Sequence, residues 1–311
     1  MSIDRRELDD LLAVVVDFAD KVLVDAAEVD LTLVASTPLP TLVTDLTEAE
    51  VPDALAWTFE VVEAVAARDA SWGFVLASRY AAEFALASAA DTSPGCYLAS
   101  SQSTEGGVLV PAAPLAAGPL DALLVVTEEG IRRLEGPTPD AEQPHRTGLA
   151  GARLTAVTAR SGAVVEGAAA AAWPVLLGAA VSGLGNALSR ESVRYTEQRE
   201  QFGAPIASFP GLRALVGSAY ADLRRARAHL YAQALGAPAT PVADTLALAA
   251  DAVVNSAIDA VQSMGGYGYI DEFPVAGMFR DAISLRARAS TALSGWRSGA
   301  ELAYALEGQG T

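Results

Sequence analysis

The stretch from Ala168 to Leu188 constrains the fold of this chain more than any other. It carries no charged side chain and runs directly into a polar segment, Ser189 to Glu200. At about 20 residues it is long enough to cross a bilayer, or else it is a helix enclosed by protein on every side. Its Ala and Gly drive membrane insertion weakly, Pro174 interrupts it, and a polar helix continues it, so the enclosed helix is the expectation. An enclosed helix needs companions, and the sequence downstream has helical character. Helices are expected over roughly 164–198, 208–235, 241–264, 274–287 and 289–307, broken at Gly203-Ala-Pro205, Gly236-Ala-Pro238, Gly265-Gly266 and Pro274. Short breaks between long helices make antiparallel neighbours, so residues 164–311 read as a C-terminal four-helix bundle.

Upstream, Leu8, Leu11, Leu12, Val15, Phe18 and Val22 recur at helical spacing, and helices are expected over 4–35 and 50–90, parted by Thr37-Pro38-Leu39-Pro40. Residues 1–93 thus form a helical N-terminal domain. From Pro94 to Gly162 the pattern changes to short β-leaning runs between Pro and Gly turns: Cys96 to Ala99, Gly107 to Val110, Ala122 to Thr127 and Ala152 to Thr158. Residues 94–163 read as a reduced β domain. The fold class is mainly α with a small β domain, and 311 residues suffice for such a set of compact units.

Charge narrows the functions open to the chain. A net charge of -17 argues against an electrostatic grip on nucleic acid or an anionic membrane. The acid is concentrated in residues 1–70, where sixteen Asp and Glu face only Arg5, Arg6, Lys21 and Arg68. Residues 185–230 reverse the sign with Arg190, Arg194, Arg199, Arg213, Arg224, Arg225 and Arg227, so a phosphate would be received there. One cysteine, Cys96, and two histidines, His145 and His229, leave disulfide and metal chemistry without material. The acidic start Met-Ser-Ile-Asp-Arg-Arg-Glu does not resemble a signal or transit peptide, and a cytoplasmic location is the expectation.

Two segments carry candidate chemistry. Arg199-Glu-Gln-Phe-Gly203-Ala-Pro205 places Arg199 near the C-terminus of a long helix, where it complements the dipole in any case. Gln262-Ser-Met-Gly-Gly-Tyr-Gly-Tyr269 ends another helix in a glycine turn. There bare backbone can approach a ligand closely, and Tyr267 and Tyr269 offer flat surface with a polar tip. A plain glycine stop accounts for the second segment equally well.

Taken together and in this order, the segments resemble acyl-CoA dehydrogenases. The likeness runs from Ser189 through Arg194-Tyr195, Arg199 to Ile206, Phe209, Val261 to Tyr269 and Glu272-Phe-Pro-Val275 to Arg280-Asp281-Ala282. In that family the arginine and its Gln-Phe neighbours reach across a subunit interface to the pyrophosphate and adenosine side of an FAD. The resemblance therefore implies those roles for Arg199, Gln201 and Phe202, and contact with the same ADP portion for Gln262, Gly265 and Gly266. Thr291 matches a family threonine near the flavin, although a helix cap explains it as well.

The family reaction needs a carboxylate to take a proton from the carbon beside the thioester. Matching Arg-Asp-Ala to 280–282 puts the usual glutamate at Ala289, and the alternative position used by some relatives falls at or near Trp173. Neither side chain accepts a proton, and the next acid downstream is Glu301. The middle region is shorter than the family's β-domain, and Ser101 to Gly107 does not match its flavin-gripping segment. The resemblance thus implies the shortened, non-catalytic subunit of a heteromeric bacterial acyl-CoA dehydrogenase. A homologous catalytic partner would supply the glutamate and bind most of the acyl-CoA, with bulky acyl chains such as sterol side chains as a substrate class. A flavin-free structural paralogue and a self-sufficient homo-oligomer with another base are the two other readings.

Overall fold

The computed structural model describes residues 5–23, 29, 51–88, 97–100, 108–111, 123–127, 130–139, 148–152, 154–165, 172–237 and 242–289. Thr291, Glu301, the helix expected over 289–307 beyond its first residue, and the Thr37 to Pro40 break lie outside these residues.

Three helices open the described chain: α1 (Arg5–Phe18), α2 (Val51–Ala66) and α3 (Ala70–Ser88). α1 runs on into a wider turn, Ala19–Leu23. The single helix expected over 50–90 is two. The chain turns at Ala67–Asp69, where Asp69 Oδ1 accepts the backbone N–H of Trp72 at 2.9 Å and so caps the new helix.

A five-stranded sheet follows, built from β1 (Tyr97–Ser100), β2 (Val108–Pro111), β3 (Leu123–Thr127), β4 (Gly130–Pro139) and β5 (Leu154–Val164) in the order β1-β3-β4-β5-β2. β1 runs parallel to β3, and the remaining pairs are antiparallel. The middle strand β4 was not expected, because Arg132, Arg133, Glu135 and Pro137 break the apolar signature of a central strand. It pairs with β5 through two register shifts, between Arg132 and Leu134 and between Glu135 and Thr138, and the second takes up Pro137, which has no N–H to give a ladder. β5 also extends to Val164, and Val165 N–H still donates to Ile131 O at 2.8 Å. The next helix therefore begins later than residue 164.

That helix is α4 (Ala172–Gln198), followed by α5 (Pro210–Ala234), α6 (Val242–Met264) and α7 (Pro274–Ala289). Pro174 sits in the first turn of α4, where a missing N–H costs nothing. α4 packs against α2, α3, α5, α6 and α7. Of its most apolar window, 83% is buried inside the protein, which is the enclosed helix anticipated from the uncharged run. Close contact depends on small residues: a Cβ on Gly183 would lie 2.4 Å from the Glu63 carbonyl oxygen and 2.6 Å from Ala66 Cβ. α4 and α2 thus meet backbone to backbone.

Across that contact lies an ionic node. Arg227 of α5 pairs with Glu60 at 2.9 Å and Glu63 at 2.7 Å, both on α2. Glu63 also accepts from Ser182 Oγ at 2.5 Å and Asn186 Nδ2 at 3.2 Å on α4. The guanidinium lies against both the Phe59 and Tyr231 rings, 5.8 and 5.2 Å from their centroids, and these rings meet edge-on at 5.5 Å. Burial pulls the Arg227 pKa down, but its hydrogen bonds and charge pairing with Glu63 and Glu60 more than offset this and raise it. One cation therefore ties three helices together.

Candidate functional site

The first motif lies just past the end of α4. Arg199 N–H donates to Tyr195 O at 2.9 Å, and the Arg199 carbonyl accepts the N–H of Ile206 at 2.8 Å. Between them the chain folds into a hairpin of β6 (Glu200–Gln201) and β7 (Ala204–Pro205), with Gln201 opposite Ala204. The two-residue loop puts both Phe202 and Gly203 at positive φ, 52° and 82°. Glycine takes this backbone freely; phenylalanine does so at a cost of about 1–2 kcal/mol. Its ring is 96% exposed and meets Phe209 edge-on at 6.2 Å. The hairpin thus holds an aromatic ring outward in a strained conformation.

The second motif closes α6. Gly265 (φ 61°) leads into a tight turn over Gly265–Tyr269. A Cβ on Gly268 would lie 2.7 Å from the Val261 carbonyl oxygen, so this glycine seats the turn on the helix end. Gly265 and Gly266 face open space, with no described residue within 4 Å of where a Cβ would stand. Packing inside the chain explains Gly268, and leaves the exposed backbone of Gly265 and Gly266 available for close approach from outside.

Two tyrosines join the motifs at one end of the bundle. Tyr195 Oη, on the last turns of α4, donates to the Met264 carbonyl at 3.4 Å. The Arg199 guanidinium lies over the Tyr267 ring, 5.8 Å from its centroid, and Tyr267 packs against Phe273 at 5.3 Å. Arg199 is exposed and has no carboxylate partner among the described residues. Three of its basic neighbours differ: Glu191 pairs with Arg194, Asp222 with Arg225, and Glu60 and Glu63 with Arg227. Arg213 and Arg224 are, like Arg199, exposed and without a carboxylate among the described residues, and what sets Arg199 apart from them is the Tyr267 ring against its guanidinium.

The other expected site residues are less tightly drawn in. Gln201 donates its amide to the Glu200 carbonyl at 2.8 Å, and Gln262 is exposed on the last turn of α6. Ala289 closes α7 at 1% exposure, and Trp173, at 4%, packs edge-on against Phe74 at 6.2 Å. Both positions belong to the hydrophobic core.

Sequence reasoning overlooked two features. Tyr267 was read only as flat surface, yet its place directly after the double glycine aims it at Arg199. Asp281 was read only as part of a matching motif. It is half-buried, and its Oδ1 accepts Leu149 N–H at 2.6 Å, which fastens residues 148–152 to α7 and holds Leu149 at φ 52°. Burial pushes its carboxyl up to about 6, the Leu149 bond pulls the other way, and nearby Asp69 adds to the rise.

Residues 174–289 match the family model described as the C-terminal domain of acyl-CoA dehydrogenase. This part of the chain is similar to the C-terminal domain of acyl-CoA dehydrogenases. Over 95 residues the chain is 35% identical to a mitochondrial 2-methylacyl-CoA dehydrogenase of Solanum tuberosum, a match covering 29% of this chain and 23% of that protein. It thus spans about a quarter of the length of the curated relatives it matches. In three dimensions the acyl-CoA dehydrogenase likeness covers nearly the whole chain. Butyryl-CoA dehydrogenase from Megasphaera elsdenii superposes with a TM-score of 0.68 at 18% identity, over 95% of this chain and 98% of that one. The ChsE4-ChsE5 complex from Mycobacterium tuberculosis gives 0.65 at 19% identity, over 95% and 97%. At these identities the superpositions establish the fold.

Proposed function

We propose that this chain is one subunit of a heteromeric, FAD-dependent acyl-CoA dehydrogenase, and that it supplies contacts to the ADP half of an FAD held mainly by a homologous catalytic subunit. The observation that carries this reading is Arg199, an exposed guanidinium without a carboxylate among the described residues, held beside a glycine turn whose open backbone none of the described residues covers. The donor set fits a diphosphate. Arg199 can make two parallel hydrogen bonds to phosphate oxygens, Gly265 and Gly266 allow close backbone approach, and Gln201 and Gln262 present carboxamides. Phe202 offers an exposed ring for a flat group or for the partner's surface.

Bound FAD would supply the hydride acceptor for α,β-desaturation of an acyl-CoA thioester. The part taken by this chain is binding and orientation. Ala289 and Trp173, which match the family's base positions, are buried and apolar, so the proton would go to a carboxylate of the partner. That division of labour supports two different chains in the assembly, and the ChsE4-ChsE5 complex is a two-component neighbour of the same fold.

The test is expression of the chain alone and together with a homologous acyl-CoA dehydrogenase that has the glutamate. Flavin absorbance, complex stoichiometry and acyl-CoA oxidation are then read on both preparations. Flavin and activity are expected in the co-expressed complex. A yellow homo-oligomer of this chain that oxidises acyl-CoA would sink the proposal.

A further inference from the structure

We infer that Tyr267, backed by Phe273, is a positioning residue that holds Arg199 ready for the phosphates of a nucleoside diphosphate group. The inference rests on the reading of Arg199 given above and concerns a residue outside that proposed contact set. Surface arginines ordinarily spread over many rotamers, and ordering one on a ligand costs side-chain entropy. Here the guanidinium already lies 5.8 Å from the Tyr267 ring centroid, where the ring quadrupole attracts it. A cation–π contact engages the charge of the guanidinium without consuming its N–H groups in hydrogen bonds, and these remain available for a phosphate. A carboxylate in the same place would have consumed those donors, as Glu60 and Glu63 consume those of Arg227.

Tyr267 is in turn fixed from two sides. Its ring packs against Phe273 at 5.3 Å, and its backbone belongs to the turn that Gly268 seats against Val261. Tyr195 adds a cross-tie from α4 to the Met264 carbonyl, three residues before Tyr267, so the helix bearing Arg199 and the turn bearing Tyr267 are joined independently of the stacked pair. The arrangement is a preorganised cation on a rigid aromatic support.

The test is a double-mutant cycle on the full chain, with ADP as probe and adenosine as the phosphate-free control, read by titration calorimetry and with folding checked by thermal melts. Cation–π pairs at exposed sites correspond to about a two- to fivefold change in affinity. Tyr267→Leu is therefore expected to weaken ADP binding by about that factor, and Tyr267→Phe to restore it. Arg199→Ala should weaken binding about tenfold or more. In the Arg199→Ala background, Tyr267→Leu should add nothing, because its effect passes through the cation. If Arg199→Ala weakens ADP binding but Tyr267→Leu does not, or if Tyr267→Leu weakens it equally with and without Arg199, the positioning role is overturned and the ADP-side reading stands. If wild type does not prefer ADP to adenosine, or Arg199→Ala changes nothing, both fall together.

Discussion

Arg227 and Arg199 are the same residue put to opposite uses less than thirty positions apart. Each guanidinium lies over an aromatic ring at nearly the same distance, 5.2 Å over Tyr231 and 5.8 Å over Tyr267. What differs is the rest of the environment. Arg227 meets two carboxylates on α2 and is mostly buried, so its donors are spent on holding helices together. Arg199 meets none among the described residues and stands in solvent, so its donors are unspent. An arginine over a ring is therefore not by itself a sign of a binding site. The carboxylate ledger around it makes the distinction.

The largest expected effect tests the interior half of this contrast. Arg227→Met removes the cation and leaves Glu60 and Glu63 buried side by side; breaking a buried pair from one side costs about 3–5 kcal/mol. Urea unfolding at neutral pH should show that loss. The triple change Arg227→Met, Glu60→Gln, Glu63→Gln should recover a large part of it, because no unpaired charge then remains. A loss below about 1 kcal/mol in the single variant would mean that the node is an ordinary surface ion pair.

Asp281 comes next, and its sign is opposite to that of a salt-bridged acid. Its carboxyl is raised in the folded state from 3.8 to about 6, so the native protein binds this proton more tightly than the unfolded chain. Its contribution favours folding below about pH 4 and is lost as the pH rises to about 6. Asp69 and Glu83, both also raised chiefly by burial, act in the same direction. Asp281→Asn keeps an acceptor for Leu149 N–H without the charge. It should stabilise the protein at pH 7 by on the order of 1–3 kcal/mol and flatten the slope between pH 4 and 6. An unchanged slope in urea titrations across that range would show that another group carries it.

These interior features were the least legible in the sequence. The bundle could be read from the uncharged run at 168–188 and the Gly and Pro breaks, because an apolar helix of that length has few options. β4 could not, since its Arg, Glu and Pro are tolerated only through register shifts that depend on β5. The pairing of Arg227 with Glu60 and Glu63 links residues more than 160 apart in sequence, and no local pattern encodes it. The candidate site was more legible because its two motifs are short and each shapes its own turn. Its key contact, Arg199 on Tyr267, still required knowing that the ends of α4 and α6 coincide.

The glycine turn offers a smaller version of the same contrast. Gly268→Ala places a methyl 2.7 Å from the Val261 backbone oxygen and 2.8 Å from Val261 Cα, atoms that cannot swing aside. A destabilisation of about 1–3 kcal/mol is expected in thermal or urea unfolding. Gly266→Ala meets none of the described residues within 4 Å, and stability should change by no more than about 0.5 kcal/mol. If the two variants unfolded alike, the turn would not divide into a seated and an open part.

The smallest stability effect is the most informative about function. Arg199→Ala removes a cation that pairs with no described carboxylate and stacks on one exposed ring, so unfolding free energy should move by about 0.5 kcal/mol or less. Under the proposed function, flavin retention in the complex should nevertheless fall, because a guanidinium that faces a diphosphate between two subunits would have no substitute there. Arg227→Met gives the opposite pattern, with stability lost and little direct effect on flavin in whatever complex still folds. Measuring both quantities on both variants separates an arginine that builds the protein from one that the protein was built to present. Equal and small flavin losses in the two would show that Arg199 is a second structural cation.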